Sequence, residues 1–191
     1  MTQVALSFDT EFPGRPARPG GEDRILETLA DEGVRGSFFL QGRWTRAYPD
    51  VAQRIAEAGH LIGNHSNFHA PMNGLSDDWL RHDVERAELT IRETTGIDPK
   101  PWFRCPFGRG MDDPRVLNTL GELGYRHVGW DVDPRDWDET RTVDELVKFV
   151  AAGEGIVLLH AWPAVTADAL GLVIAGLRER GAELVAVDEL V

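Results

Sequence analysis

In Val4-Ala5-Leu6-Ser7-Phe8-Asp9-Thr10-Glu11 a short apolar run, 4–8, stops abruptly before two carboxylates. A run of this length, bounded by polar residues, reads as a strand rather than a helix. Similar runs recur at 36–40, 61–63, 102–104, 127–130, 156–159 and 183–186. Between them lie amphipathic stretches of helical period at 24–30, 51–58, 77–94, 114–123, 143–151 and 167–180. Ser76 stands where an N-cap is needed, and Gly33, Gly59, Gly96, Gly124 and Gly181 follow helical stretches as stops. Strands and helices taking turns imply an α/β protein around a mostly parallel sheet. Two architectures satisfy that pattern: a doubly wound open sheet, or a closed or nearly closed (β/α) barrel of about seven repeats. In both, chemistry collects at the C-terminal ends of the strands. The segment 13–21, rich in Pro, Gly and Arg, reads as a loop, either a rim near the first strand or a plain solvated connection.

The 191 residues suit a single domain spanning 1–191, large enough to bury a core without staples. Cys105 is the one cysteine, so no intrachain disulfide contributes, and a lone thiol is more often packing than a nucleophile. With 20 basic against 32 acidic residues the net charge is −12. That disfavours nucleic acid and anionic membrane surfaces as partners, and leaves a neutral substrate unpenalised. No apolar run approaches a membrane span, and the first residues carry no export signal. The cytoplasm is the expected location, with secretion the alternative where a leader has been removed. Oligomeric state is not legible.

Five polar clusters each follow a predicted strand: 9–11, 64–69, 104–108, 131–137 and 160–162. One such cluster would mean little, whereas carboxylates, imidazoles and an arginine gathered at five strand ends suggest a built site. His65 and His69, spaced by four, would meet at one point if a helical turn followed the third strand. The spacing alone is weak, since most such pairs are surface residues. Asp9 and Glu11 alternate along extended chain and so share a face. One carboxylate with the two histidines makes an open three-ligand site of catalytic zinc type, and the other is free to act as a base on water. Arg104 is placed to keep a carboxylate such as Asp9 ionised. The proline-bent turn after it, at 105–108, can offer a backbone N–H to an oxyanion. His160, steered by a carboxylate such as Asp136, suits a general acid. Trp130, Trp137 and Trp162 flank these clusters as candidate apolar walls for a sugar ring, although core packing is an equally ordinary role for them.

In order, Ser7-Phe8-Asp9-Thr10-Glu11, His65-Ser66-Asn67-Phe68-His69, Arg104-Cys105-Pro106-Phe107, Asp133-Pro134-Arg135-Asp136-Trp137 and Leu158-Leu159-His160 resemble the five motifs of the polysaccharide deacetylase family (carbohydrate esterase family 4 type). The runs 130–137 and His160-Ala161-Trp162-Pro163 look closest to its acetylxylan esterase branch. The resemblance implies a distorted (β/α) barrel of about seven parallel strands and a metal-dependent hydrolase that removes acetyl groups from an N- or O-acetylated carbohydrate. By position it makes Asp9 the base, Arg104 its orienting partner, Phe107 the backbone oxyanion donor and His160 the acid tuned by Asp136. Glu11, His65 and His69 become ligands of a divalent metal, zinc first, with cobalt or nickel as alternatives. Three departures stand out: Thr10 where the commonest pattern has a second aspartate, Phe107 for the usual tyrosine, and Ala161 where esterase-like members often carry an acid. Two other readings stay open: a cytosolic amidohydrolase of a small polar metabolite, and a catalytically silent ligand-binding member of the fold.

Overall fold

The computed structural model describes residues 2–11 and 21–191. The predicted loop at 13–21 lies, up to Gly20, outside them. In chain order the elements are β1 (Gln3–Thr10), α1 (Gly21–Asp31), β2 (Ser37–Leu40), α2 (Gly42–Ala47), α3 (Pro49–Glu57), β3 (Leu61–Asn64), α4 (Asp77–Thr95), β4 (Trp102–Phe103), α5 (Pro114–Glu122), β5 (Arg126–His127), α6 (Val143–Ala151), β6 (Gly155–His160), α7 (Ala164–Glu179), β7 (Glu183–Val185) and α8 (Val187–Leu190). Short 3-10 turns occupy Met72–Gly74 and Pro106–Gly108. Among the described residues every strand pairing is parallel. Among the described residues no helix is long and apolar enough to cross a membrane.

The sheet runs β5-β4-β3-β2-β1-β6. β6 covers one edge of β1 from Val4 to Asp9, so the other edge is shared, β7 pairing with Gln3–Ala5 and β2 with Ser7–Thr10. Beyond β5 the chain reaches the far edge of β6, where Val132 bridges Val157. On a flat sheet those two places would stand about 29 Å apart, at roughly 4.8 Å per strand. The five residue steps from His127 to Val132 can span at most about 18 Å. The sheet must therefore curl, and the outcome is a distorted (β/α) barrel; the open-sheet alternative is excluded. The same crossing shortens the predicted strand at 127–130. β5 stops at His127, and after Val128 donates to the Phe103 carbonyl the backbone leaves β4 to cross the gap.

Alternation along β1 separates two environments. Val4, Leu6 and Phe8 face the helices, where they join Phe38, Leu159 and the apolar stripes of α1 and α7. Ala5, Ser7 and Asp9 face the barrel interior beside Ile156, Leu158 and His160 of β6, with which they are in register. The interior is thus apolar at the bottom, where Ala5 and Ile156 meet Phe39, Trp102 and Val185, and turns polar one layer at a time toward the C-terminal ends.

The helix ends follow the expected punctuation. Ser76 accepts a hydrogen bond from the Trp79 N–H, and Gly96 closes α4 in the left-handed region at φ 74°. The short helix α2 was not predicted. It lies close to α4 because residue 42 is glycine: a Cβ there would come within 2.6 Å of the Asn67 Oδ1 and 2.9 Å of the Ala87 Cα.

His60, just before β3, is buried; its Nδ1 accepts from the Gly36 N–H at 3.2 Å, and its Nε2 has no partner among the described residues. Burial, helped by the nearby Arg35 charge, lowers its pKa to about 4. The folded state therefore resists a proton that the unfolded chain accepts below about pH 6.5. The stability tied to neutral His60 is complete above that pH and is lost as pH falls toward 4. After allowance for solvent screening this amounts to about 1–2 kcal/mol. His60→Asn keeps an acceptor for Gly36 and cannot titrate, so its urea-unfolding free energy should fall less steeply from pH 6.5 to 4 than that of the parent. Equal slopes would remove His60 as the cause.

Candidate active site

At the C-terminal mouth of the barrel a cavity of about 400 Å³ is lined by Asp9, Glu11, His65, His69, Phe107, Trp130, Asp133, Trp137, Leu158, His160 and Trp162. Of the side chains singled out from sequence, only Arg104 and Asp136 are absent from this lining, and both stand directly behind it.

His65 and His69 meet as expected but by a different local structure. No helical turn follows β3. The segment is a loop in which Ser66 (φ 63°) and His69 (φ 57°) take left-handed conformations, bringing the two Nε2 atoms to 3.1 Å. Side chains hold this costly backbone in place. The Asn64 Oδ1 accepts from the Ser66 N–H, the Ser66 Oγ accepts from the His69 N–H, and the buried Asp83 of α4 accepts from the Asn67 and Phe68 N–H groups at 3.1 and 2.9 Å. Sequence reasoning passed over Asp83. Its signal was an acid inside the apolar stripe Leu80, Val84, Ala87 and Ile91 of α4, where a charge has no reason to sit unless it accepts hydrogen bonds.

His65 is buried, and its Nδ1 lies 2.9 Å from the Arg104 carbonyl oxygen. A carbonyl only accepts, so Nδ1 carries the proton and the Nε2 lone pair faces inward. Burial lowers the His65 pKa to about 4, which keeps the ring neutral. The Glu11 Oε2 contacts the His69 Nε2. Donor atoms of Glu11, His65 and His69 all lie within 4.8 Å of one another. A carboxylate and two imidazoles converging in this way, one with its lone pair fixed by a backbone carbonyl, fit a divalent cation of zinc type.

Thr10 does not belong to this cluster. It sits on the opposite face of β1, where its hydroxyl accepts from the Gln41 N–H at 3.2 Å, so Glu11 is the carboxylate that arrives two residues after Asp9.

Asp9 is 3% exposed and receives the Arg104 Nη1 at 2.9 Å, while its Oδ2 lies 3.4 Å from the His65 Nε2. Burial alone would raise this carboxyl, but His65, Arg104 and His160 together outweigh it and hold the group below the usual carboxylate range. Arg104 is fully buried. It also donates to the Ser7 Oγ and to the Val128 and Gly129 carbonyls, and its guanidinium lies 4.0 Å from the centroid of the Phe39 ring.

Across the cavity the Asp136 Oδ1 sits 2.7 Å from the His160 Nδ1, and its Oδ2 accepts from the His160 N–H and the Thr166 hydroxyl. Burial opposes a charged imidazole, but Asp136, seconded by Glu11 and Asp9, lifts His160 to about 9. The ring stays protonated through neutral pH.

Phe107 occupies the turn after Arg104 at φ 57°, its ring 4.4 Å from that of His69, and its N–H makes no hydrogen bond among the described residues. Trp130 and the half-exposed Trp137 line the walls. Trp162 lines them too, and its indole N–H also donates to the Glu11 Oε1 at 3.1 Å, a contact that sequence could not foretell. Cys105 is buried and its thiol is pushed up to about 12, which rules it out as a nucleophile near neutrality.

Carboxylates, imidazoles and two buried ion pairs thus gather at the C-terminal mouth of one curled parallel barrel. The family model for polysaccharide deacetylase matches residues 2–128, and the chain belongs to the polysaccharide deacetylase family. The chain is 28% identical over 193 residues to the peptidoglycan-N-acetylmuramic acid deacetylase PdaA of Bacillus subtilis, covering 98% of this chain and 70% of the relative. It is 28% identical over 163 residues to a chitooligosaccharide deacetylase of Azorhizobium caulinodans, covering 84% and 76%. Among solved structures, a CE4 family pseudoenzyme from Bacillus anthracis superposes with a TM-score of 0.89 at 29% identity, over 99% of this chain and 65% of that one.

Proposed function

We propose that this chain is a metal-dependent deacetylase that hydrolyses the acetamide of an N-acetylated sugar within a short oligosaccharide of peptidoglycan or chitin type, with zinc as its metal. One observation carries the reading: Asp9 and His160, held from behind by Arg104 and Asp136, line one cavity with the Glu11, His65 and His69 donor set. The names of the relatives point to N-acetyl sugars, and the tryptophan walls suit the apolar face of a sugar ring.

Glu11, His65 and His69 would hold the cation. A divalent ion bound there supplies Lewis acidity, polarising the acyl oxygen and making water a stronger acid. The chain's own groups do the rest. Asp9, kept ionised and aimed by Arg104, takes a proton from the attacking water as its oxygen bonds to the acetyl carbon. The Phe107 N–H donates to the oxygen that becomes negative. His160, protonated at neutral pH, gives its proton to the sugar nitrogen as the C–N bond breaks, and Asp136 keeps the ring oriented. Acetate and a free amine leave.

Likeness to a pseudoenzyme favours a second reading, a silent binding member of the family. What supports the active reading over it is that Asp9, His160 and the Glu11, His65 and His69 side chains line one cavity. The deciding experiment is acetate release from N-acetylglucosamine oligomers, peptidoglycan fragments, acetylated xylan and an aryl acetate, with and without chelator. Release should be lost on chelation and regained with zinc, strongest on the N-acetylated oligomers. No release from any substrate by zinc-loaded protein would leave the silent reading standing.

A further inference from the structure

β1 and β6 lie in register with Asp9 opposite His160, so the next inward-facing positions, two residues on, are Glu11 and Trp162. The two pairs are successive layers of one wall. In the upper layer the Glu11 carboxylate is divided between partners: Oε2 meets the His69 Nε2, while Oε1 accepts the Trp162 indole N–H at 3.1 Å and stands 3.8 Å from the His160 Nε2. The carboxylate is 5% exposed, so no solvent is at hand to satisfy Oε1 in place of the indole. Glutamate is also longer than aspartate by one rotatable bond, which gives its head two easy ways to stray. It can chelate a cation through both oxygens, or turn Oε1 onto His160.

We infer that Trp162 is a positioning residue for the metal site, its indole N–H holding the Glu11 Oε1 so that Oε2 alone faces the donor set and His160 is left to Asp136. This rests on the proposal that Glu11 is a metal ligand. It gives Trp162 a task beyond forming an apolar wall. Hydrogen bonds to the free oxygen of a ligating carboxylate orient the ligand, and their loss typically weakens metal binding about 10–100-fold.

Zinc affinity, measured by competition with a chromophoric chelator, tests this without turnover. Trp162→Phe keeps an aromatic side chain against the cavity and removes the donor, and it should bind zinc about 10–100-fold more weakly than the parent. In a Glu11→Ala background the same substitution should change affinity by less than about twofold, because the partner through which it acts is gone. Equal zinc affinity of parent and Trp162→Phe, or an undiminished effect in the Glu11→Ala background, would overturn the inference. Should Trp162→Phe fail to fold, the indole N–H of the intact chain can be followed by NMR. Its resonance should move and lose exchange protection in Glu11→Ala, and an unmoved, equally protected signal would be fatal. If the parent binds zinc but releases no acetate, the deacetylase proposal fails while the zinc titrations still decide this one. If the parent binds no zinc, both fall.

Discussion

Asp9→Asn is expected to lower acetate release about 10²–10⁴-fold while the protein retains its metal, the range that a positioned general base usually contributes. Asparagine fills the same volume and still accepts the Arg104 N–H, so the geometry behind the cavity is conserved. It cannot take a proton from water. Asp9 lies outside the Glu11, His65 and His69 donor set, so zinc affinity should change far less than turnover. The substitution also leaves Arg104 buried without its ionic partner, so rates must be normalised to the folded fraction. Asp9→Asn protein that is folded, zinc-loaded and still turning over at the parental rate would remove Asp9 as the base.

Arg104→Met should be the most damaging single change to the fold near the site. The methionine fills much of the guanidinium's place against Phe39, yet it leaves Asp9 without its nearest countercharge and strips donors from Ser7 Oγ and the Val128 and Gly129 carbonyls. Removing one partner of a buried pair costs about 3–5 kcal/mol. For a chain of this length that corresponds to a fall in Tm of roughly 6–20 °C. Arg104→Met combined with Asp9→Asn should regain part of the loss, because the orphaned carboxylate disappears, whereas the carbonyls stay unsatisfied. Calorimetry on the two single variants and the double variant closes the cycle. Strict additivity would mean that the ion pair itself contributes nothing.

Much of this was legible in the chain because strand ends announce themselves. Apolar runs stop at Asp9, Asn64, Arg104 and His160, and parallel strands of one sheet necessarily present such ends on one side. The curled architecture needed the short link between His127 and Val132, which composition does not mark. The loop carrying His65 and His69 cannot be told from a helical turn by sequence, because a spacing of four suits both. What decides between them is hydrogen bonding from Asn64, Ser66 and Asp83, residues that mean nothing singly. Helix α2, six residues long, is too short to show a period. The indole of Trp162 could be placed near the site but not aimed, since its direction follows from the register of β1 against β6.

The link that crosses from β5 to β6 has one more effect. Its first carbonyls, those of Val128 and Gly129, are where the Arg104 guanidinium is anchored, and the same guanidinium grips Asp9. The link across the gap of the curled sheet and the aim of the base are therefore a single hydrogen-bonded unit, and a chain in which that link has come loose cannot keep its base in place. Catalytic competence should then rise and fall with protection of the Val128, Asp131 and Val132 amides, which donate across this link.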